Sequence, residues 1–168
     1  MSLLIRPEQP DDADAVRLVH RLAFGRDDEG RLVDALRSGG FGRVALVAED
    51  VGRVVGHILF SALPIVIPSA TIDALALAPL AVVPDRQRRG VGSALVRDGL
   101  RACRDDGHRI VLVLGEPDFY ARFGFSAEKA RHLASPYSGP AFMALGLVPG
   151  ALEGLAGEVR YPSAFDAF

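Results

Sequence analysis

The sequence predicts an α+β domain built on one mixed sheet, antiparallel where it begins, with helices on both faces. Three observations predict it. RVALVAE (residues 43–49) and RVVGHILFSAL (53–63) are β-rich runs joined by Asp50-Val51-Gly52, which reads as a hairpin. The apolar run 74–83 leads, through an amphipathic stretch at 91–106, to IVLVL at 110–114. A uniformly apolar strand suits burial on both faces, as in a parallel pair. Strand, helix and strand together then make a right-handed crossover.

Each remaining element follows from local pattern. Residues 3–6 are apolar enough for a first strand. Asp11, Asp12 and Asp14 gather ahead of the periodicity Ala15, Leu18, Val19 and Leu22, and acids at a helix start complement its dipole. A second helix spans 29–36, with Leu32, Val33 and Leu36 on one side and Gly39-Gly40 as its stop. Residues 65–67 could extend the strand of 53–63 beyond Pro64. In the stretch 91–106, Leu95, Val96, Leu100 and Cys103 cover one face and Arg97, Asp98, Arg101, Arg104 and Asp105 the other. The charged face reads as solvated. Residues 117–122 make one or two helical turns with Pro117 near the start. Residues 142–148 and 157–161 are the last strands.

With 168 residues, the chain fits one domain, 1–168. The net charge of −2 gives no reason to expect nucleic acid. The single cysteine excludes an internal disulfide and a multi-cysteine metal site. The start of the chain turns acidic after a short apolar stretch, unlike a secretory signal, and the run 74–84 is too short to span a bilayer. The expectation is a soluble, cytoplasmic protein with no metal and no membrane partner; its apolar tail packs on the core or on a second copy as a homodimer.

The most informative stretch is PDRQRRGVGSALVRDG, residues 84–99. Gly90 and Gly92 fall between a buried strand and a helix. A helix start offers unpaired N–H groups and partial positive charge. Glycine there lets a ligand approach the backbone, and Arg86, Arg88 and Arg89 add charge. Together these describe a phosphate site, against the plainer reading of a strand-to-helix turn with solvated arginines. No GxxxxGK[ST] string occurs. A dinucleotide fingerprint fails because its third glycine position is Leu95 and no acid follows at the required distance.

Gln87-Arg88-Arg89-Gly90-Val91-Gly92 resembles the Q/R-x-x-G-x-G/A loop of the GCN5-related N-acetyltransferases, the GNAT family. Phe119-Tyr120-Ala121-Arg122-Phe123-Gly124-Phe125 resembles that family's Y-x-x-F/L-G-F. Order and spacing of elements are similar over essentially the whole chain, most of all to the YhbS-like branch. The resemblance implies a single-domain GNAT fold: a mixed, mostly antiparallel sheet with a central parallel strand pair. It implies acetyl-coenzyme A as co-substrate, with the backbone at Val82 and Val83 on the pantetheine arm. Arg88, Arg89, Gly90, Val91, Gly92 and Ser93 would then surround the pyrophosphate. Two departures stand out. The family's frequent Asn-x-x-Ala-x-x-x-Tyr has Val113 and Glu116 at its Asn and Ala positions, and residues 74–84 hold no carboxylate.

Acetyl transfer to an amine needs a deprotonated nucleophile, a donor for the oxyanion and a proton for the leaving thiolate. The resemblance places Tyr120 near the sulfur as the acid; the plainer reading is an aromatic packing beside Phe119, Phe123 and Phe125. Glu116 is a candidate base just after the second parallel strand, and the oxyanion donor is expected near Val82. Asp73 and His57 are weaker bases, water is an equal contender, and His108 lies at the wrong end of its strand. Cys103, on an apolar helix face with no base beside it, reads as packing, so transfer is direct. The acceptor is a small-molecule or protein amine, with specificity expected at 24–28, 64–71 and 131–139. The alternative is a non-catalytic acyl-coenzyme A-binding regulatory module.

Overall fold

The computed structural model describes residues 2–167. A six-stranded sheet runs in the order β1 (Leu3–Pro7), β2 (Gly42–Asp50), β3 (Arg53–Ala62), β6 (Leu75–Val82), β7 (Ile110–Leu114) and β9 (Phe142–Gly146). Every neighbouring pair is antiparallel except β6 and β7, which run parallel. That parallel pair is the expected crossover, made through α3 (Val91–Asp105).

Helices cover both faces. Consecutive side chains on a strand point to opposite faces. At Gly56 a Cβ would sit 2.9 Å from Leu95 of α3. The next residue, His57, instead meets His20 of α1 (Ala13–Phe24). α2 (Asp28–Ser38) packs Leu32, Val33 and Leu36 on the α1 side. α3 presses on β3 so closely that a Cβ at Gly99 would fall 2.5 Å from the Phe60 ring. The two glycines thus set how near the helix lies to the sheet.

Residues 65–67 do not extend β3. Pro64 has no N–H with which to continue the ladder. β4 (Ile65–Ile67) turns away into a second, four-stranded sheet. It pairs there with β5 (Ala70–Ile72) and with β10 (Gly157–Val159), and β10 also pairs parallel with β8 (Leu133–Ala134). The tail packs on this same chain: Val159 and Phe165 are buried with Leu63 and Ile65.

α1 also differs from expectation. Leu18 and Leu22 are exposed, at 52% and 44%, whereas Val16, Val19 and His20 are buried. His20 belongs to a buried polar chain. Glu8 accepts a hydrogen bond from His57 Nε2 at 2.5 Å and is also bound by Arg37. His57 Nδ1 must then be an acceptor, so His20 Nε2–H donates to it at 2.8 Å. His20 Nδ1 is left as a buried lone pair without a partner. This arrangement is that of two neutral rings, which burial favours: it is the dominant cause pushing the pKa of each down, that of His20 to about 3. Among the described residues no helix is long and apolar enough to cross a membrane.

Two outcomes follow from this packing. Gly99→Ala improves helix propensity, but the overpacking against Phe60 outweighs it, and the variant unfolds at lower denaturant by about 1–3 kcal/mol. Stability should also fall on acidification. The unfolded histidines take up protons below their ordinary value of 6.5, whereas folded His20 resists down to about 3. The unfolded state thus binds more protons across that window, and each such histidine removes up to about 1.4 kcal/mol per pH unit. Denaturant titrations at pH 7.5, 6 and 5 check this; equal stability at all three would contradict the neutral pair.

Candidate active site

The site lies where β6 and β7 part. Their pairing covers Leu75 with Val111 and Ala76 with Leu112 only. Between the pairs Phe60–Leu77 and Ile58–Leu80, β3 has one residue and β6 has two. β6 therefore carries a bulge at Ala78 and Pro79, a device that re-aims a strand. The opening starts at Leu77, well before Val82.

A cavity of about 390 Å³ fills the opening, walled by residues 76–80, by Leu112, Val113 and Leu114, and by Tyr120. Val113 makes the expected Asn position an apolar wall. Tyr120, in α4 (Pro117–Ala121), is 8% exposed. Its ring meets Phe119 edge-on at 4.9 Å and Phe125 at 5.7 Å. At Gly115 a Cβ would fall 2.5 Å from that ring, so the glycine makes room for it. Burial pushes the phenol up to about 12, and it keeps its proton at neutral pH.

Beside the cavity runs a groove lined by Val82, Arg86, Gln87, Arg88, Gly90, Gly92, Ser93, Arg97, Phe119 and Arg122. The two spaces are neighbours: Leu80 and Tyr120 line the cavity, and Val82 and Phe119 line the groove. The first backbone bond of α3 runs from the Ala94 N–H to the Gly90 carbonyl. The N–H groups of Val91, Gly92 and Ser93 are thus outside the helical ladder. Gly90 is left-handed, with φ +83°, and a Cβ there would meet nothing within 4 Å. At Gly92 a Cβ would make only ordinary contacts, 3.8 Å to Phe119 and to Val82. Packing within the protein therefore does not require a glycine at either position.

The predicted binding residues divide. Arg88, Gly90, Gly92, Ser93 and Val82 line the groove, whereas Val83 and the Val91 side chain are buried in the core. Val83 N–H is tied to the Val55 carbonyl, and the Val82 carbonyl accepts a bond from Gln87 Nε2 at 2.9 Å. Arg89 is exposed and off the groove wall. Arg86 is not simply solvated: it pairs with Asp50 at 2.9 Å and with Asp85 at 2.8 Å.

Arg97 and Arg122 are additions to the reading. Arg97, expected on a purely solvated face, lines the groove and lies 5.8 Å from the Phe123 ring centre. Arg122 lies over Phe119 and Phe123, at 5.2 and 5.4 Å, and donates to Ser93 Oγ. The signal was present in the sequence: Arg122 sits within the matched aromatic motif, and Arg97 falls about one turn beyond Ser93.

The base candidates fare differently. Glu116 is exposed and outside the cavity wall. Asp73 is exposed in a separate groove beside Arg109. His57 is wholly buried against Glu8 and His20. Cys103 is fully buried, and burial pushes its thiol up to about 12, which suits packing and not nucleophilic attack. The cavity does hold one carboxylate that the sequence reading passed over, Glu29 at the start of α2. Of the segments expected to choose the acceptor, Phe24 and Tyr137 line the cavity. Residues 64–71 do not, and Tyr161 and Phe165 do instead. Among the described residues no cluster of three or more His, Cys, Asp or Glu could hold a metal ion.

Fold and site are those of an acyl-group transferase, with an anion-ready helix start beside a splayed parallel pair. A family model for the acetyltransferase (GNAT) domain matches residues 4–127. The uncharacterized N-acetyltransferase YhbS of Escherichia coli K12 is 36% identical over 169 residues, covering 99% of this chain and 100% of its own. The solved structure of E. coli YhbS in complex with coenzyme A superposes with a TM-score of 0.92 at 34% identity, covering 100% of this chain and 94% of that one. A GNAT acetyltransferase of Brucella melitensis, solved with acetyl-coenzyme A, gives 0.81 at 36% identity, with 98% of each chain covered. The chain belongs to the GNAT acetyltransferase family.

Proposed function

We propose that this acetyltransferase moves the acetyl group of acetyl-coenzyme A directly to a primary amine in a ternary complex. The observation that carries the reading is the pair of neighbouring spaces, a cation-lined groove with Phe119 in its wall and an apolar cavity with Tyr120, the next residue, in its wall. Two relatives matched over nearly their full length were solved with coenzyme A or its acetyl form. The groove residues fit that molecule. Val91, Gly92 and Ser93 have amides to offer its pyrophosphate, as helix starts do. Gly90 and Gly92 keep the approach open. Arg88, Arg97 and Arg122 supply the counter-charge; Arg89 contributes only at longer range. The Val82 carbonyl becomes available to the pantetheine arm once Gln87 releases it, and Val83 takes part through its carbonyl alone.

The oxyanion donor is assigned to a backbone N–H of β6 at its bulge, where the thioester oxygen gains charge; Pro79 has none to give. Tyr120 donates to the departing sulfur. Burial keeps the phenol protonated at neutral pH, so Tyr120 has a proton to offer the sulfur as charge develops there. Removal of the ammonium proton falls to water. Glu116, the sequence-based candidate, has no advantage over solvent from its exposed position.

Thiol release from acetyl-coenzyme A across a panel of amines tests the reading. Tight coenzyme A binding with no turnover on any amine would turn it into the regulatory-module reading. Tyr120→Phe should keep coenzyme A affinity and lower kcat roughly 10²-fold or more; an unchanged kcat removes Tyr120 from the chemistry. Gly92→Ala separates packing from binding. Its thermal stability should match or exceed the parent, while its Kd for coenzyme A rises by roughly tenfold or more, because the new methyl group occupies the ligand's approach.

A further inference from the structure

Resting on that acetyl-transfer reading, we propose that the acceptor is a small primary amine on a ring-bearing apolar body without a carboxylate, and that Glu29 holds its ammonium group. Among the described residues, Glu29 is the one formally charged side chain lining the cavity; no Arg, Lys or His is among them. The other polar side chains of the wall are the phenols of Tyr120, Tyr137 and Tyr161. Glu29, although paired with Arg26 behind it, offers a carboxylate to an ammonium group, and no cation lines the cavity to receive a carboxylate. Amino acids are thereby disfavoured as acceptors, because a buried, unpaired carboxylate is costly. Polyamines are disfavoured too, since one anion cannot satisfy several cations.

Glu29 is held firmly in this position. Its side chain is 8% exposed. It lies in the first turn of α2, where a helix favours negative charge. Arg26 grips both its oxygens, Nε to Oε1 at 3.0 Å and Nη2 to Oε2 at 2.5 Å. Each carboxylate oxygen accepts more than one hydrogen bond, so this fork fixes the group without exhausting it.

The rest of the wall describes the body of the acceptor. Phe24 and Leu32 flank Glu29 along the chain. Tyr161 meets Tyr137 edge-on at 5.0 Å and Phe165 at 5.2 Å, so three rings support one another in one wall. Such rings receive another ring edge-on or offset, and their faces attract a cation. The volume of about 390 Å³ sits at the lower end for small-molecule sites, roughly 300–1,000 Å³. It suits a single-ring amine together with the thioester end of the co-substrate.

The test compares 2-phenylethylamine, phenylalanine, spermidine and a peptide with an N-terminal Phe as acceptors for the full chain with acetyl-coenzyme A. The expected result is a kcat/KM for 2-phenylethylamine at least roughly tenfold above each of the others. A preference for phenylalanine, spermidine or the peptide overturns the inference while leaving acetyl transfer intact. No turnover on any of the four, with coenzyme A bound, also overturns the inference; acetyl transfer itself falls only if the wider amine panel gives no thiol release either. Glu29→Gln should raise the KM for 2-phenylethylamine roughly tenfold or more, as loss of a charge-assisted hydrogen bond does, with the KM for acetyl-coenzyme A unchanged and Glu29→Asp partly restoring the amine KM. A fall in kcat at unchanged amine KM overturns the anchoring role. The acceptor comparison on the unmodified protein stands even if the variant fails to fold.

Discussion

The parallel pairing of β6 and β7 lasts for two residue pairs and then stops. Hydrogen bonding between neighbouring strands normally holds a sheet closed. Here the bulge at Ala78 and Pro79 turns β6 away from β7 and towards β3 alone. The residues beyond the split have no partner strand on that side, so the gap becomes the cavity. The same divergence puts the end of β6 next to the loop that starts α3, so one strand borders both spaces. Had the pairing continued to Val82, Tyr120 would pack against a closed sheet and the amides of α3 would face no opening.

The two spaces carry opposite electrostatics. Arg88, Arg97 and Arg122 border the groove, whereas among the described residues the one charged side chain lining the cavity is Glu29, backed by Arg26. In the proposed reaction an anionic co-substrate and a cationic acceptor enter from differently charged sides. This arrangement separates the two ligands before any specific contact forms. It also keeps the counter-charge for phosphate away from the bond that is made and broken.

The crossover, its glycine loop and the aromatic stretch 119–125 were legible because they depend on local pattern. A uniformly apolar strand, an amphipathic helix and two glycines at their junction are visible without knowing what lies opposite. The contents of the cavity were not legible in that way. Glu29 looks like an ordinary acid in the first turn of a helix, and only the fold brings it to Tyr120 and Tyr161, on distant segments. His20 interrupts an apolar stripe and reads as an error of pattern until His57 and Glu8 are placed beside it. Leu18 and Leu22 misled for the opposite reason: they keep helical spacing but sit on the exposed side. Pro64 carried the information that β3 ends, yet not where β4 goes, since its partner β10 lies far along the chain.

The close seat of α3 on β3 links two properties that are usually independent. Gly56 and Gly99 let the helix lie nearly backbone to backbone on the sheet. The amides proposed to hold the pyrophosphate are the first turn of that same rigid rod. Any side chain that wedges under the helix lifts its N-terminus relative to the end of β6. The grip on the co-substrate is therefore set by the thickness of the interface beneath it. Drift in the core composition of this protein would be read as drift in ligand affinity before it was read as unfolding.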